Sequence, residues 1–154
     1  MPLEPRKAGQ VGTKSATPPD AWAGSDRSGV EIVTELNRRF TAGDGAGAAA
    51  LFHPKVRVEQ PATLPHGGWY DGLAGMGDMG AAFGQYWTRT IADPRIFGDD
   101  DTVVQLTTQT WTAKSTGRSA TVDVLELFSF TGGQVSQIRV FQQDTHLLMG
   151  TLDR

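Results

Sequence analysis

The sequence predicts one α+β domain in which helices come first and an antiparallel meander follows. Three observations carry that expectation. Apolar residues recur at helical spacing between residues 29 and 42, strictly alternating segments crowd into the last third of the chain, and short glycine-bearing turns separate those segments. Helices grouped ahead of strands suit a single sheet curving around them rather than a parallel sheet with crossovers, and such a sheet leaves a cone-shaped cavity. Nothing repeats at a fixed period, which excludes a solenoid or propeller.

Residues 1–27 hold four of the eight prolines, mixed charge and Trp22 as their only large aromatic. They read as a flexible leader, or as an arm that docks through Trp22, and the folded domain is expected over residues 28–154. Ser28-Gly29-Val30-Glu31 has the capping-box spacing, so a first helix should begin there and run to about residue 42. Ile32, Val33, Leu36 and Phe40 form its apolar stripe, while Glu31, Glu35, Asn37, Arg38 and Arg39 take the wet side and Gly43 stops it. Asp44 can cap a short second helix through Ala50 and Phe52, which Pro54 ends.

Residues 56–60 alternate as a strand, with Val56, Val58 and Gln60 on one face and Arg57 and Glu59 on the other. A loop rich in Pro and Gly runs to about Leu73. Met76, Met79, Phe83 and Trp87 then give a third helix its stripe. After Pro94 the pattern changes to strands over residues 102–112, 120–130 and 135–142, joined by turns at Ser115-Thr116-Gly117-Arg118 and Thr131-Gly132-Gly133-Gln134.

The 154 residues include 17 Asp and Glu against 14 Lys and Arg, three His and no Cys. Without cysteine, a disulfide framework, a thiolate nucleophile and a Cys-ligated zinc or iron–sulfur site are excluded. A net charge of −3 with scattered cations argues against nucleic acid. No apolar run approaches the roughly 18 to 20 residues that span a bilayer, and no apolar core follows a basic start. No membrane partner is expected, and the location expected is cytoplasmic.

Gly45-Ala46-Gly47-Ala48-Ala49-Ala50 loosely matches a dinucleotide fingerprint, but a helix rather than a strand precedes it, so it reads as a helix–helix turn. His53, His66 and His146 lie far apart and lack the His-Glu-x-x-His spacing. Neither a metal nor a cofactor is expected.

Glu126 is more informative, because it sits in Val122-Asp123-Val124-Leu125-Glu126-Leu127-Phe128, a strand that is otherwise almost wholly apolar. Alternation groups Glu126 with Val122, Val124 and Phe128 and sends Asp123, Leu125 and Leu127 to the other face. If the first face lines a cavity, Glu126 is a desolvated carboxyl with a pKa raised into a range useful for proton transfer. If not, it is a partner for Arg118 or Arg139 in a structural bridge. Trp69, Tyr70, Trp87 and Trp111, with Met76 and Met79, can wall a ligand site or simply fill a core.

A set of motifs in order adds to this reading: Phe40-Thr41-Ala42-Gly43-Asp44; Leu51-Phe52-His53-Pro54-Lys55-Val56; Gln60-Pro61; and Leu64-Pro65-His66-Gly67-Gly68-Trp69-Tyr70-Asp71-Gly72. Glu126-Leu127-Phe128, Gly133-Gln134-Val135 and Phe141-Gln142-Gln143-Asp144-Thr145 follow. Together they resemble the SnoaL-like branch of the nuclear transport factor two-like superfamily, which includes polyketide cyclases and ketosteroid isomerases, over most of residues 29–150. The resemblance implies a conical barrel with an apolar pocket, a homodimer formed through the outer sheet face, where Leu125 and Leu127 point, and Glu126 as the pocket carboxylate. It also shows departures. Gln60 stands where the isomerases carry a proton-shuttling Asp, Leu36 where they carry a tyrosine acid, and His66 where a tyrosine is frequent. Steroid isomerisation by that mechanism is therefore not expected.

Strand parity carried through the Gly132-Gly133 turn puts Ile138, Val140 and Gln142 on the pocket side, and an alignment across the Gly117 hairpin adds Gln109 and Trp111. The expected catalytic residues are Glu126 and His66. Gln60, Trp69, Tyr70, Trp87, Trp111, Val124, Phe128, Val140 and Gln142 are the expected substrate contacts. The expected function is a cofactor-independent cyclase or isomerase of secondary metabolism acting on an apolar, oxygenated, polyketide-like molecule. The alternatives are an epoxide-opening cyclase or hydrolase with Asp144 as second carboxylate, a residue that equally suits a helix cap, or a non-catalytic binding module.

Overall fold

A computed structural model describes Trp22 and residues 26–153. The leader expected over residues 1–27 lies, but for Trp22, Asp26 and Arg27, outside the described residues. Trp22 is half-buried against the core and takes the Arg27 guanidinium over its ring at 3.7 Å.

The elements run α1 (Gly29–Thr41), α2 (Gly45–Ala49), β1 (Phe52–Gln60), β2 (Gly68–Asp71), α3 (Gly72–Gly84), β3 (Trp87–Gly98), β4 (Thr102–Ala113), β5 (Ser119–Thr131), β6 (Gln134–Gln142) and α4 (Thr145–Gly150). One sheet of six strands has the order β2–β1–β6–β5–β4–β3. All its pairings are antiparallel except β1 with β6. The α+β expectation holds, with one refinement: the sheet is open, β2 and β3 being its two edges. It nevertheless curves, since Val58 and Gln60 of β1 and Arg89 and Ile91 of β3, near opposite edges, line one cavity.

Helix α1 begins where the capping box places it, with the Ser28 hydroxyl accepting from the Glu31 amide at 3.1 Å. Its buried face carries Ile32, Val33 and Leu36. A Cβ added to Gly29 would meet Phe130 and Val103 side chains at 2.8 Å, so this glycine lets the helix start press against β4 and β5. Glu35 and Arg39, expected on the wet side, are buried. Glu35 accepts from Arg39 Nε at 2.8 Å and from Arg38 Nη2 at 2.5 Å, and Arg39 Nη1 reaches the Gly47 carbonyl at 2.8 Å. The charges satisfy one another and tie α1 to α2, which is how they leave water.

Helix α2 stops at Ala49 rather than including Phe52. The reason lies in β6: Val135 donates its amide to the Leu51 carbonyl at 2.9 Å, and the Gln134 side chain donates to the carbonyls of Ala50 and Phe52, both at 3.2 Å. Those bonds draw the chain into β1. Pro54 is absorbed where the β1–β6 register shifts, so its missing N–H leaves no broken ladder. Helix α3 also ends early, and Trp87 opens β3, the strand that the sequence reading passes over. Asp93 takes φ 52° at an irregularity between Ala92 and Arg95, so Pro94 sits in a bulge of this edge strand.

Candidate active site

The inward side chains of β1, β4, β5 and β6 face α1 and α3 across a cavity of about 620 Å³. That volume suits a small organic molecule. The walls are mainly apolar: Leu36 and Phe40 from α1, Met76, Met79 and Phe83 from α3, and Val124, Phe128, Ile138 and Val140 from the sheet. Polar groups enter at set points, and most are already engaged. Asn37 Nδ2 donates to Gln105 Oε1 at 2.6 Å. Trp111 Nε1 donates to Gln109 Oε1 at 2.9 Å, and Gln109 Nε2 to Thr107 Oγ1 at 3.1 Å. Gln142 Nε2 donates to Gln60 Oε1 at 3.3 Å, while Gln60 Nε2 points at the Met79 sulfur at 3.3 Å and Gln142 Oε1 is buried without a partner among the described residues.

Glu126 differs from these. Alternation along β5 sends it inward between Val124 and Phe128, and its strand neighbours are Gln105 on β4 and Val140 on β6. It lines the cavity but has neither a hydrogen bond nor an ion pair within the described residues. Arg139, considered as its partner, is paired with Glu59 at 3.2 Å instead. Glu126 is half-buried; desolvation raises its pKa, and the positive charge of Arg89 offsets this only in part.

His66 reaches the same cavity from the 61–67 loop and is only 2% exposed. The loop is tightly wound: the amide of Leu64 bonds to the Pro61 carbonyl at 3.1 Å and that of Gly67 to the Leu64 carbonyl at 2.9 Å, and a Cβ on Gly67 would lie 2.3 Å from the Pro61 oxygen. The imidazole packs against Phe83, Trp87 and Trp111 with ring centroids 5.4 to 5.9 Å apart. Burial first, and the Arg89 charge second, pull its pKa down to about 4, so the ring is neutral at pH 7. Its Nδ1 has no partner within the described residues.

Of the expected contacts, Gln60, Trp111, Val124, Phe128, Val140 and Gln142 share this cavity with Glu126 and His66. Three others do not line it. Trp69 is 41% exposed on the opposite face of β2, where Arg57 covers its ring at 4.4 Å, because strand parity groups it with Asp71 rather than with the cavity. Tyr70 acts behind the site, its hydroxyl donating to the His66 carbonyl at 2.9 Å. Trp87 is buried behind the wall, donating from Nε1 to Thr151 Oγ1 at 2.8 Å and backing Phe83 and Trp111. Asp144 lies away from the cavity and caps α4 by accepting from the Leu147 amide at 2.9 Å. The residue missed by the sequence reading is Arg89, whose strand parity with Trp87 and Ile91 would have turned it inward had β3 been assigned. Within the described residues no group of three or more acidic or imidazole side chains gathers to hold a metal, and no helix is long and apolar enough to cross a membrane.

The fold is the one seen in solved NTF2-like proteins. The model of the SnoaL-like domain matches residues 33–138, more than half of the sequence, and the chain belongs to that family. Similar solved structures include an NTF2-like protein from Burkholderia thailandensis, with 21% identity over 83% of this chain and 99% of the other and a TM-score of 0.75. TerC co-crystallised with polyporic acid is similar at 22% identity over 81% and 98%, TM-score 0.69. A candidate polyketide cyclase from Pseudomonas putida is similar at 14% identity over 82% and 99%, TM-score 0.67. At these identities the likeness establishes the fold. No curated protein matches the chain in sequence.

Proposed function

We propose that this protein is a cofactor-independent cyclase or isomerase for a small, largely apolar, oxygenated substrate, with Glu126 as the proton-transferring group. The observation that carries the reading is an unpaired carboxyl facing an apolar cavity of ligand size. As carboxylate, Glu126 takes a proton from the carbon next to a substrate carbonyl. The electron pair moves onto the carbonyl oxygen as an enolate, which either regains the proton at another carbon or attacks a second carbonyl of the same molecule to close a ring. Glu126 then returns its proton, so the protein is unchanged over the cycle. His66, neutral, offers one N–H to an oxygen that gains charge. The apolar walls contribute by holding a flexible chain near its reacting geometry.

The fold shared with a candidate polyketide cyclase and with TerC, itself co-crystallised with polyporic acid, supports a small organic ligand. Epoxide opening by a carboxylate pair is less favoured, since the cavity holds one carboxyl within the described residues and Asp144 is occupied as a cap. A homodimer through the outer sheet face belongs to the same proposal, supported by half-buried Leu125 and Leu127 beside exposed Phe141 on that face.

The test is deuterium uptake from heavy water at the carbons flanking the carbonyl in a panel of bicyclic aryl ketones. Wild type should accelerate uptake, and Glu126→Gln should lower that acceleration by about 100-fold or more with the fold intact. Equal acceleration by both proteins would remove the acid–base role.

A further inference from the structure

Arg89 is the one cation lining the cavity within the described residues. It stands on the edge strand β3 and is exposed, as is Ile91 two residues on, so it lies at the open side of the cavity, whereas Glu126 stands on β5 towards the middle of the sheet. Its guanidinium lies over the Phe83 ring, 5.0 Å from the centroid, and forms no salt bridge with any described carboxylate. Of the other cationic side chains of the sheet and of α1, Arg57 is matched by Asp71, Arg139 by Glu59, and Arg38 and Arg39 by Glu35, whereas Lys55 and Arg95 have no ion pair among the described residues but do not line the cavity. A guanidinium presents a planar fork of donors that fits a carboxylate with two parallel hydrogen bonds, and Arg89 is exposed, so its fork can meet an incoming anion.

We propose that the cavity takes an organic carboxylate, and that Arg89 is the residue that anchors this charge at the open side while the carbonyl end of the molecule reaches Glu126. The proposal rests on the cavity being the ligand site and adds the class of molecule it selects. The Phe83 ring beneath the guanidinium makes a cation–π contact that favours this position of the fork over others. Arg89 and Glu126 are not ion-paired with each other, so the guanidinium is available to a substrate's own carboxylate. Desolvation pulls the Arg89 pKa down and the Glu126 charge pulls it back up, so the two groups sense each other across the cavity without closing it.

The probes are naphthoate, a flat bicyclic carboxylate, and naphthamide, its neutral counterpart of nearly the same shape, titrated against wild type, Arg89→Gln and Arg89→Lys by tryptophan fluorescence. Wild type should bind naphthoate more tightly than naphthamide by about tenfold or more, the scale of a charge-assisted bidentate contact. In Arg89→Gln that preference should vanish while naphthamide affinity is unchanged, and Arg89→Lys should recover part of it. In wild type alone, the preference should shrink as salt is added, a check that needs no variant. Equal binding of the two probes by wild type, or a preference that survives in Arg89→Gln or in high salt, overturns the proposal and leaves the cavity as a site for neutral molecules. Failure of wild type to bind either probe overturns both the proposal and the reading of the cavity as a ligand site.

Discussion

Glu35 and Glu126 are both glutamates drawn away from bulk water, one on a helix and one on a strand, and their surroundings could hardly differ more. Glu35 is clasped by two guanidiniums, whose hydrogen bonds hold its carboxyl down at about 2 against an ordinary 4.5. Glu126 has no such clasp, and desolvation pushes its pKa the other way. The first is committed to charge and to joining α1 with α2. The second is close to exchanging its proton and has a cavity in front of it. The lesson is that burial alone does not mark a working carboxylate; burial without a partner does.

The largest effect should come from removing the unpaired group. Glu126→Gln is expected to cost about 100-fold or more in carbonyl-directed proton exchange. It should also raise thermal stability at neutral pH and above. A carboxyl whose folded pKa is raised contributes most below its unfolded value and loses that contribution as pH rises through the folded one, and the amide has nothing to lose.

The mirror experiment is on Glu35. Its depressed pKa means its contribution is complete above pH 4.5 and is lost as pH falls towards 2. Glu35→Gln should therefore lower the denaturant midpoint at pH 7 and flatten the acid limb of wild-type stability between those values, with proton exchange on the ketone panel nearly unaffected. A matching acid limb in both proteins would break the contrast.

His66→Phe should keep the aromatic packing yet lower activity about tenfold, because the neutral N–H is lost. Since its imidazole is held at about 4, the pH–rate profile of wild type should show no inflection near pH 6.5 that His66→Phe removes. Tyr70→Phe, which frees the His66 carbonyl from its 2.9 Å bond, should cost about 1 kcal/mol in stability and only a small part of the rate. Trp69→Ala, on the outer face of β2, should leave naphthamide affinity unchanged.

What the sequence made legible follows the period of each element. Val122, Val124, Glu126 and Phe128 keep strict alternation within a strand whose length is unambiguous, so their shared face could be read directly and carried through the Gly132–Gly133 turn to Ile138, Val140 and Gln142. Trp87 was misplaced because it falls four residues after Phe83 and completes a helical stripe, although Gly84 has already ended the helix. That error hid β3, whose alternation is interrupted by the bulge at Asp93 and Pro94, and with it Arg89. Glu35 and Arg39 looked solvated because charge at helical spacing usually is; only the Gly47 carbonyl, distant in pattern though near in sequence, shows that they turn inward. Trp69 was assigned to the pocket for want of β2, whose four residues are too few to display a period.

The central claim is that Glu126 faces the cavity unpaired and ready to exchange its proton. An isotope-edited NMR titration of the glutamate side-chain carboxyl carbons, with Glu126→Gln to assign the signal, tests it most directly. The account predicts one carboxyl that titrates above the ordinary carboxylate range and disappears from the Glu126→Gln spectrum, beside a Glu35 signal that titrates at about 2. A Glu126 signal that titrates at or below the ordinary value would mean that a cation holds it, and would contradict the account.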